Sequence, residues 1–536
     1  MDDRKKFIFN IYLWALSALL LIPWLSIQYE QSVNSDVAWL MICAERVISG
    51  IALSQGCFDT NPPLSIMIYI PFIFIGELLS IKTYDAIFWG TLSIIFLFVT
   101  ITYRTLKYFN SFSDNERLVI SLTFLCSLTI IPAFSFAERD HFIAIALLPF
   151  ILTQLCITYK HHLPQRMKYF TLIIGAIALL IKPHFGLIPA FIFIHRAIKD
   201  KSIIKVIKSP DFLILSLLSI GYICIIWIFF QDFITVILPD VLRFYIGYTN
   251  PQPVYLHAKI YIIITSACLA ATFFIPQDGK RKPLIVLGFC ALLALAVFVI
   301  QMKGFSYHRF PFYTLIFPLV SLLLYDIAQR TRNVRTRLHR KILIHIFIIL
   351  IFILTYIFSP LRPDYPTHRD YENNKLSDYI NQNCAQPCSY FITYENMDII
   401  SQQAFYSGHT YATRFPAFWF QPAFEGLVST TLTNRYKEPI DQAKARYASY
   451  ITNDIKQMNP SLLLIIRNKD GSRTDFAARF TQNYPELVNI LLDYKPIGSF
   501  SLDRAFFYQD TKYDFKHIIT WDVYKKDTTI KENNQQ

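Results

Sequence analysis

Charged and imidazole side chains recur in the short stretches where the chain leaves one apolar run and enters the next. One stretch reads Asn34, Ser35, Asp36, then Glu45 and Arg46, then Asp59, Thr60 and Asn61 ahead of Pro62 and Pro63. A second reads Glu138, Arg139, Asp140, His141, and a third reads Lys182, Pro183, His184. The segment 231–257 carries Asp232, Asp240, Arg243, Tyr245, Tyr248 and His257, and 303–309 carries Lys303, Tyr307, His308 and Arg309. Lys and Arg hold phosphate through charge-assisted hydrogen bonds. A carboxylate beside them can take a proton from a hydroxyl. The set therefore fits a site for an anionic group, held by Arg139, His141, Lys182, His184, Lys303, His308 and Arg309, with Asp36, Glu138 and Asp140 as candidate acid–base groups. Simpler roles compete at each position. Asp36 could start the helix 36–49 as a cap, and a single basic residue could snorkel or pair locally, as Glu138 with Arg139. No cofactor is specified. A divalent metal on His141, His184 and His308 with Asp36 or Asp140 is an option whose spacing selects no particular ion. The chain has no GxxxxGK[ST], HExxH or GxSxG sequence, which argues against an ATP-driven pump, a zincin and an α/β-hydrolase.

The elements that must position these residues are apolar. Of 536 residues, 54% are apolar and only 17% charged, against about 25% charged in a soluble domain. Mean hydropathy is +0.35. Disordered, collagen-like and ordinary soluble chains are excluded, and a polytopic α-helical membrane protein is indicated. Apolar segments fall near 7–27, 63–81, 86–103, 118–134, 142–158, 169–181, 185–194, 212–230, 260–275, 284–300, 310–325 and 342–358. The segment 63–81, broken by Pro71 and Gly76, decides the topology. If it does not span, twenty-three Lys and Arg fall in inside loops, while Arg46, Lys82, Arg139, Lys182, Arg243, Lys303 and Arg309 fall outside. If it spans, twenty-one fall outside. The positive-inside rule selects the first: about eleven spans, the N-terminus cytoplasmic, and interfacial helices in a long first outer loop, 28–83. The net charge of +13 thus marks the cytoplasmic side and needs no nucleic acid. The run 7–27 resembles a signal peptide but has no small-residue cleavage site, so an uncleaved first span is expected.

The expected domains are a multi-span catalytic domain, 1–359, and a soluble α/β domain, 360–536, on the outer side. In the latter, helices are expected at 373–383, 438–458 and 474–492. Strands are expected at 389–394, 462–466, 505–508 and 516–524. Cys384 with Cys388, and Cys43 with Cys57, are candidate disulfides for an oxidising compartment. No usable N-x-[ST] sequon is present in the outer domain, which favours a bacterial inner membrane with the C-terminal domain in the periplasm.

The stretches NSDVAWLMICAERVISG (34–50), FDTNPPLSIMIYIP (58–71), FAERDHFIAIALLPF (136–150), KPHFG (182–186) and KGFSYHRFP (303–311) resemble GT-C glycosyltransferases. The likeness is to the bacterial branch related to protein mannosyltransferases and the aminoarabinose transferase of lipid A. The order of the motifs and the long first outer loop carry it, and TRFPAFWF (413–420) resembles a segment of related outer domains. The resemblance implies an inverting transfer of a monosaccharide from a polyprenyl-phosphate donor to a glycan, lipid or protein at the outer face. It implies Asp36 as the first-loop acidic residue, and Glu138 or Asp140 as the second. Thr60 and Asn61 stand where the aminoarabinose branch has an acidic–Lys pair, so phosphate binding falls more on Arg139, Lys182, Lys303 and His308. Asp59, Asn61, Arg243, Tyr248, Arg414 and Trp419 are candidates for the acceptor or its loops, with 63–81 and 231–257 expected to roof the site. The alternatives are a polymerase or ligase of lipid-linked oligosaccharide, and a lipid or solute transporter. The transporter would line mid-membrane with ionisable groups.

Overall fold

In a computed structural model the described residues are 3–109, 111–275, 279–331, 337–358, 367–372, 374–385, 387–393, 397–427, 438–467, 476–503 and 518–527. The chain forms two compact units. The first comprises 1–29, 75–225 and 250–361; the second comprises 30–74, 226–249 and 362–536.

The first unit is helical because its apolar runs are long and uninterrupted by glycine-rich turns. Each of the eleven expected spans has its helix: Asp3–Glu30, Thr83–Lys107, Asp114–Thr129, Arg139–Thr158, Gln165–Ile181, Leu187–Lys199, Pro210–Phe229, Pro251–Thr272, Arg281–Gln301, Phe310–Thr331 and Arg337–Phe358. Among the described residues, seven helices are long and apolar enough to cross a membrane. Asp114–Thr129, Gln165–Ile181 and Leu187–Lys199 are shorter, at 16, 17 and 13 residues. They reach only about 20–26 Å at 1.5 Å per residue. The segment 63–81 forms two short helices, Leu64–Met67 and Ile70–Leu79. Ten residues cover about 15 Å, half of a hydrocarbon core.

One end of this unit is fastened by ion pairs. Ser113 and Glu116 form a capping box at the start of Asp114–Thr129. Lys280 Nζ lies 2.7 Å from Glu116, Arg330 lies 2.6 Å from Asp326, and the buried pair Arg196–Asp211 closes at 2.8 Å. These basic residues come from loops expected inside.

The second unit holds a five-stranded sheet in the order β2-β1-β3-β5-β4. The strands are β1 (Ser389–Ile392), β2 (Thr410–Tyr411), β3 (Leu462–Ile466), β4 (Tyr494–Asp503) and β5 (Ile518–Lys526). β1 runs parallel to β2 and β3, while β5 is antiparallel to β3 and β4. β3 is apolar throughout and buried along its whole length, as a central strand requires. The helices Lys375–Asn383 and Ile440–Met458 match expectation. The expected helix 474–492 is two, Phe476–Asn483 and Pro485–Leu491, because Pro485 cannot continue the first. The expected strand 505–508 lies outside the described residues. Both candidate disulfides, Cys43–Cys57 and Cys384–Cys388, are formed.

Candidate active site

The anion site expected from sequence gathers at the other end of the first unit. Glu138 caps the helix Arg139–Thr158, so Arg139 and Asp140 occupy its first turn. Lys182 follows Gln165–Ile181 and precedes Pro183, which excludes it from helical geometry. It is extended, with φ −131° and ψ 95°. Its ammonium lies 2.5 Å from Asp140 Oδ2 and 3.5 Å from Gln301 Oε1, and over the Tyr307 ring at 5.5 Å. Lys303 sits between two residues with left-handed backbone, Met302 and Gly304. A Cβ on Gly304 would come within 3.0 Å of Pro253, so glycine suits this turn on both counts. Arg139, Lys182, His184 and Lys303 are all near enough to His308 to act on its charge.

Glu138, Arg139, Asp140, Lys182 and His308 are buried. Burial pulls the Lys182 ammonium down, and Asp140 opposes it. Burial alone brings Lys303 down to about 8. Burial, then the charge of Lys182, brings His184 down to about 4. His184 is therefore a neutral imidazole at neutral pH until an anion binds beside it. Among the described residues, Asp140 Oδ1, His184 Nε2 and His308 Nδ1 are buried without a hydrogen-bond partner. Buried polar atoms are normally paired, so these mark a place where a ligand or water completes the site.

Two expected members are turned to other work. His141 accepts from the Ala137 N–H on Nδ1 (3.0 Å) and bonds the Leu128 carbonyl through Nε2 (2.8 Å). Both ring nitrogens are used by the backbone, which corrects the expectation of a direct phosphate contact. Arg309 bonds the Ser306 carbonyl and the Tyr261 hydroxyl, where Tyr261 and Tyr313 share a 2.5 Å hydrogen bond. Among the described residues no three His, Cys, Asp or Glu side chains form a group that could hold a metal ion, so the His141–His184–His308 metal site does not assemble.

In the second unit, Asn34 rather than Asp36 caps the helix Ser35–Ile48, its Oδ1 accepting the Asp36 N–H at 2.8 Å. This relieves Asp36 of the capping role. Asp59 Oδ1 accepts the Asn61 N–H at 2.8 Å and its side-chain amide at 2.9 Å, forming the turn before Pro62. Arg414 binds Asp454 through Nε (2.8 Å) and backbone N–H (2.9 Å), and the Ser54 carbonyl through Nη1 (2.5 Å). Arg243 binds Glu438 at 2.8 Å, and Arg446 spans Glu438 (3.0 Å) and Asp240 (2.6 Å). The Arg446 bonds hold the Glu438 carboxyl below its usual range. Arg414 and Arg243 are thus engaged as clasps within this unit. Trp419 packs between Phe58 (6.0 Å) and Tyr245 (5.9 Å), while Tyr248 is exposed. Sequence reasoning missed Gln301, Asp454 and Arg446; no local signal marks any of them.

Neither a family profile nor a curated protein matches the chain. Solved structures do. ArnT from Cupriavidus metallidurans in the apo state aligns with a TM-score of 0.53 at 10% identity, over 86% of this chain and 93% of that one. The chain shares the fold of that protein. The same ArnT bound to undecaprenyl phosphate aligns at 0.47, with 11% identity over 75% and 85%. Arabinofuranosyltransferase AftD from Mycobacteria aligns at 0.48, with 10% identity over 95% of this chain and 41% of that one. With seven helices long and apolar enough to cross a membrane among its described residues, this chain is a multi-pass membrane protein, and its basic cluster lies where helices of the apolar unit end.

Proposed function

We propose that the protein is an inverting glycosyltransferase that moves a monosaccharide from a polyprenyl-phosphate donor to a glycan, lipid or protein at the outer face of the membrane. The observation that carries this is the basic group of buried Arg139 and Lys182 with half-buried Lys303, beside His184 and His308, whose ring atoms await a partner, at one end of an apolar bundle. Such a site suits a phosphate whose lipid tail lies among helices. Asp36 takes the proton of the acceptor hydroxyl. The acceptor oxygen forms its bond to the anomeric carbon as the bond to the phosphate oxygen breaks. The leaving polyprenyl phosphate keeps the electron pair, and Arg139, Lys182 and Lys303 stabilise its charge. Ionisable groups of the first unit gather at its two ends rather than lining its middle, which favours transfer over transport. The N-terminus is cytoplasmic and the C-terminal part periplasmic in this reading, which reporter fusions at the loops test.

The deciding experiment is transfer of labelled sugar from a panel of polyprenyl-phosphate monosaccharides by the purified protein. Turnover is expected with at least one donor, and Asp36→Asn is expected to lower kcat by 100-fold or more, about 2.7 kcal/mol. Full turnover by that variant would remove Asp36 as base, and no transfer from any donor would overturn the reading.

A further inference from the structure

The helix Asp114–Thr129 ends in a carbonyl that the backbone following it cannot satisfy. Leu128 C=O would accept from the N–H four residues on, and that residue is Pro132, which has none. His141 Nε2–H fills the vacancy at 2.8 Å. Its other nitrogen, Nδ1, accepts the Ala137 N–H at 3.0 Å. An acceptor on one side and a donor on the other fix the neutral tautomer with the proton on Nε2. Ala137 has φ +63°, a conformation that L-residues other than glycine avoid, and it stands immediately before the cap Glu138. The ring is fully buried, edge-on to Phe136 at 5.1 Å and Phe310 at 6.2 Å.

We infer that His141 is a positioning residue, holding Ala137 left-handed across the 130–137 turn and thereby fixing Glu138, Arg139 and Asp140 against Lys182. This rests on the phosphate-binding reading of that cluster. Without the imidazole, Ala137 relaxes toward negative φ, the first turn of the helix shifts, and the Asp140–Lys182 contact loosens. His141 itself touches neither donor nor acceptor.

The role predicts a rescue that simple packing does not. Glycine adopts positive φ without penalty, so Ala137→Gly should restore part of what His141→Ala loses by making the required backbone accessible again. The test uses the full-length protein in nanodiscs, with hydrogen exchange of peptides covering 128–141, binding of undecaprenyl phosphate, and sugar transfer. His141→Ala is expected to lose protection at the Ala137 amide and to lower kcat tenfold or more. The double variant with Ala137→Gly should regain at least threefold in kcat over the single variant. Wild-type kcat and affinity in His141→Ala, or a double variant no better than the single, overturns the inference. If His141→Ala does not fold, His141→Gln is read by the same measures. A protein that binds undecaprenyl phosphate more weakly in His141→Ala, yet transfers no sugar from any donor, keeps the positioning role and loses the proposed function.

Discussion

Basic residues behave differently in the two units. In the second unit, Arg46 donates to the carbonyls of Gly56 (2.5 Å), Thr413 (2.6 Å) and Tyr411. Arg414 and Arg243 end on Asp454 and Glu438. These guanidinium groups have fixed partners from distant parts of the chain. In the first unit, Lys182 meets one carboxylate, Lys303 is brought down to about 8 by burial, and the atoms His184 Nε2, His308 Nδ1 and Asp140 Oδ1 have no partner among the described residues. Arginine's planar fork suits permanent multi-point clasps, and lysine's compact charge suits a ligand that comes and goes. Cations clasped by distant partners hold a fold together, while the partnerless atoms of Asp140, His184 and His308 point to a ligand.

The contrast can be broken experimentally. The largest effect is expected from Arg414→Ala, which strands the buried Asp454 carboxylate and should cost about 3–5 kcal/mol of stability, read by denaturant unfolding. An unchanged midpoint would show that the clasp is dispensable. Removing the Cys43–Cys57 bridge, with a sequence separation of 14, should cost about 3 kcal/mol from loop closure. The Cys384–Cys388 bridge, with a separation of 4, should cost less; equal losses would contradict the loop account. Lys303→Met should leave unfolding near wild type but weaken undecaprenyl phosphate binding by about 1.5–3 kcal/mol, measured by titration. Lys303 is charged below about 8 and neutral above it, so wild-type affinity should fall as pH rises through that value. The Lys303→Met variant should lose this step, and a step that persists would assign it elsewhere. The smallest effect is expected at the exposed pair Arg369–Glu30 (3.6 Å): Arg369→Ala should shift stability by about 0.5 kcal/mol or less.

How far the sequence reached differs between the same two units. Every apolar run became a helix, because burying backbone polar groups in hydrocarbon leaves a chain little alternative. The tips bearing Asp140 and Lys182 were expected on one face, but their 2.5 Å pairing is visible only in the fold. In the sheet, β3 was legible from five consecutive apolar residues, whereas β4 was not. Pro496 and Gly498, where the β4–β5 register shifts, interrupt the alternation that would have announced it. Arg414 looked available because Asp454 stands 40 residues away, and His141 looked like a ligand because its partners are backbone atoms. Side-chain types announce a charge, but only the fold shows what already neutralises it.

The second unit is assembled from three stretches separated along the chain. Phe58 donates its N–H to the Arg414 carbonyl at 2.8 Å, and Arg46 waits for carbonyls at Tyr411 and Thr413. At about 5–20 residues per second, the first stretch emerges on the order of tens of seconds before its last partner is made. During that interval Arg46 and the helix it closes must remain hydrated, and Cys43 and Cys57 can pair before anything else fixes their neighbourhood. A chain cut short before residue 411 would leave the first stretch of this unit with nothing to fold onto, so completion of the unit waits on one late event: the arrival of the final stretch.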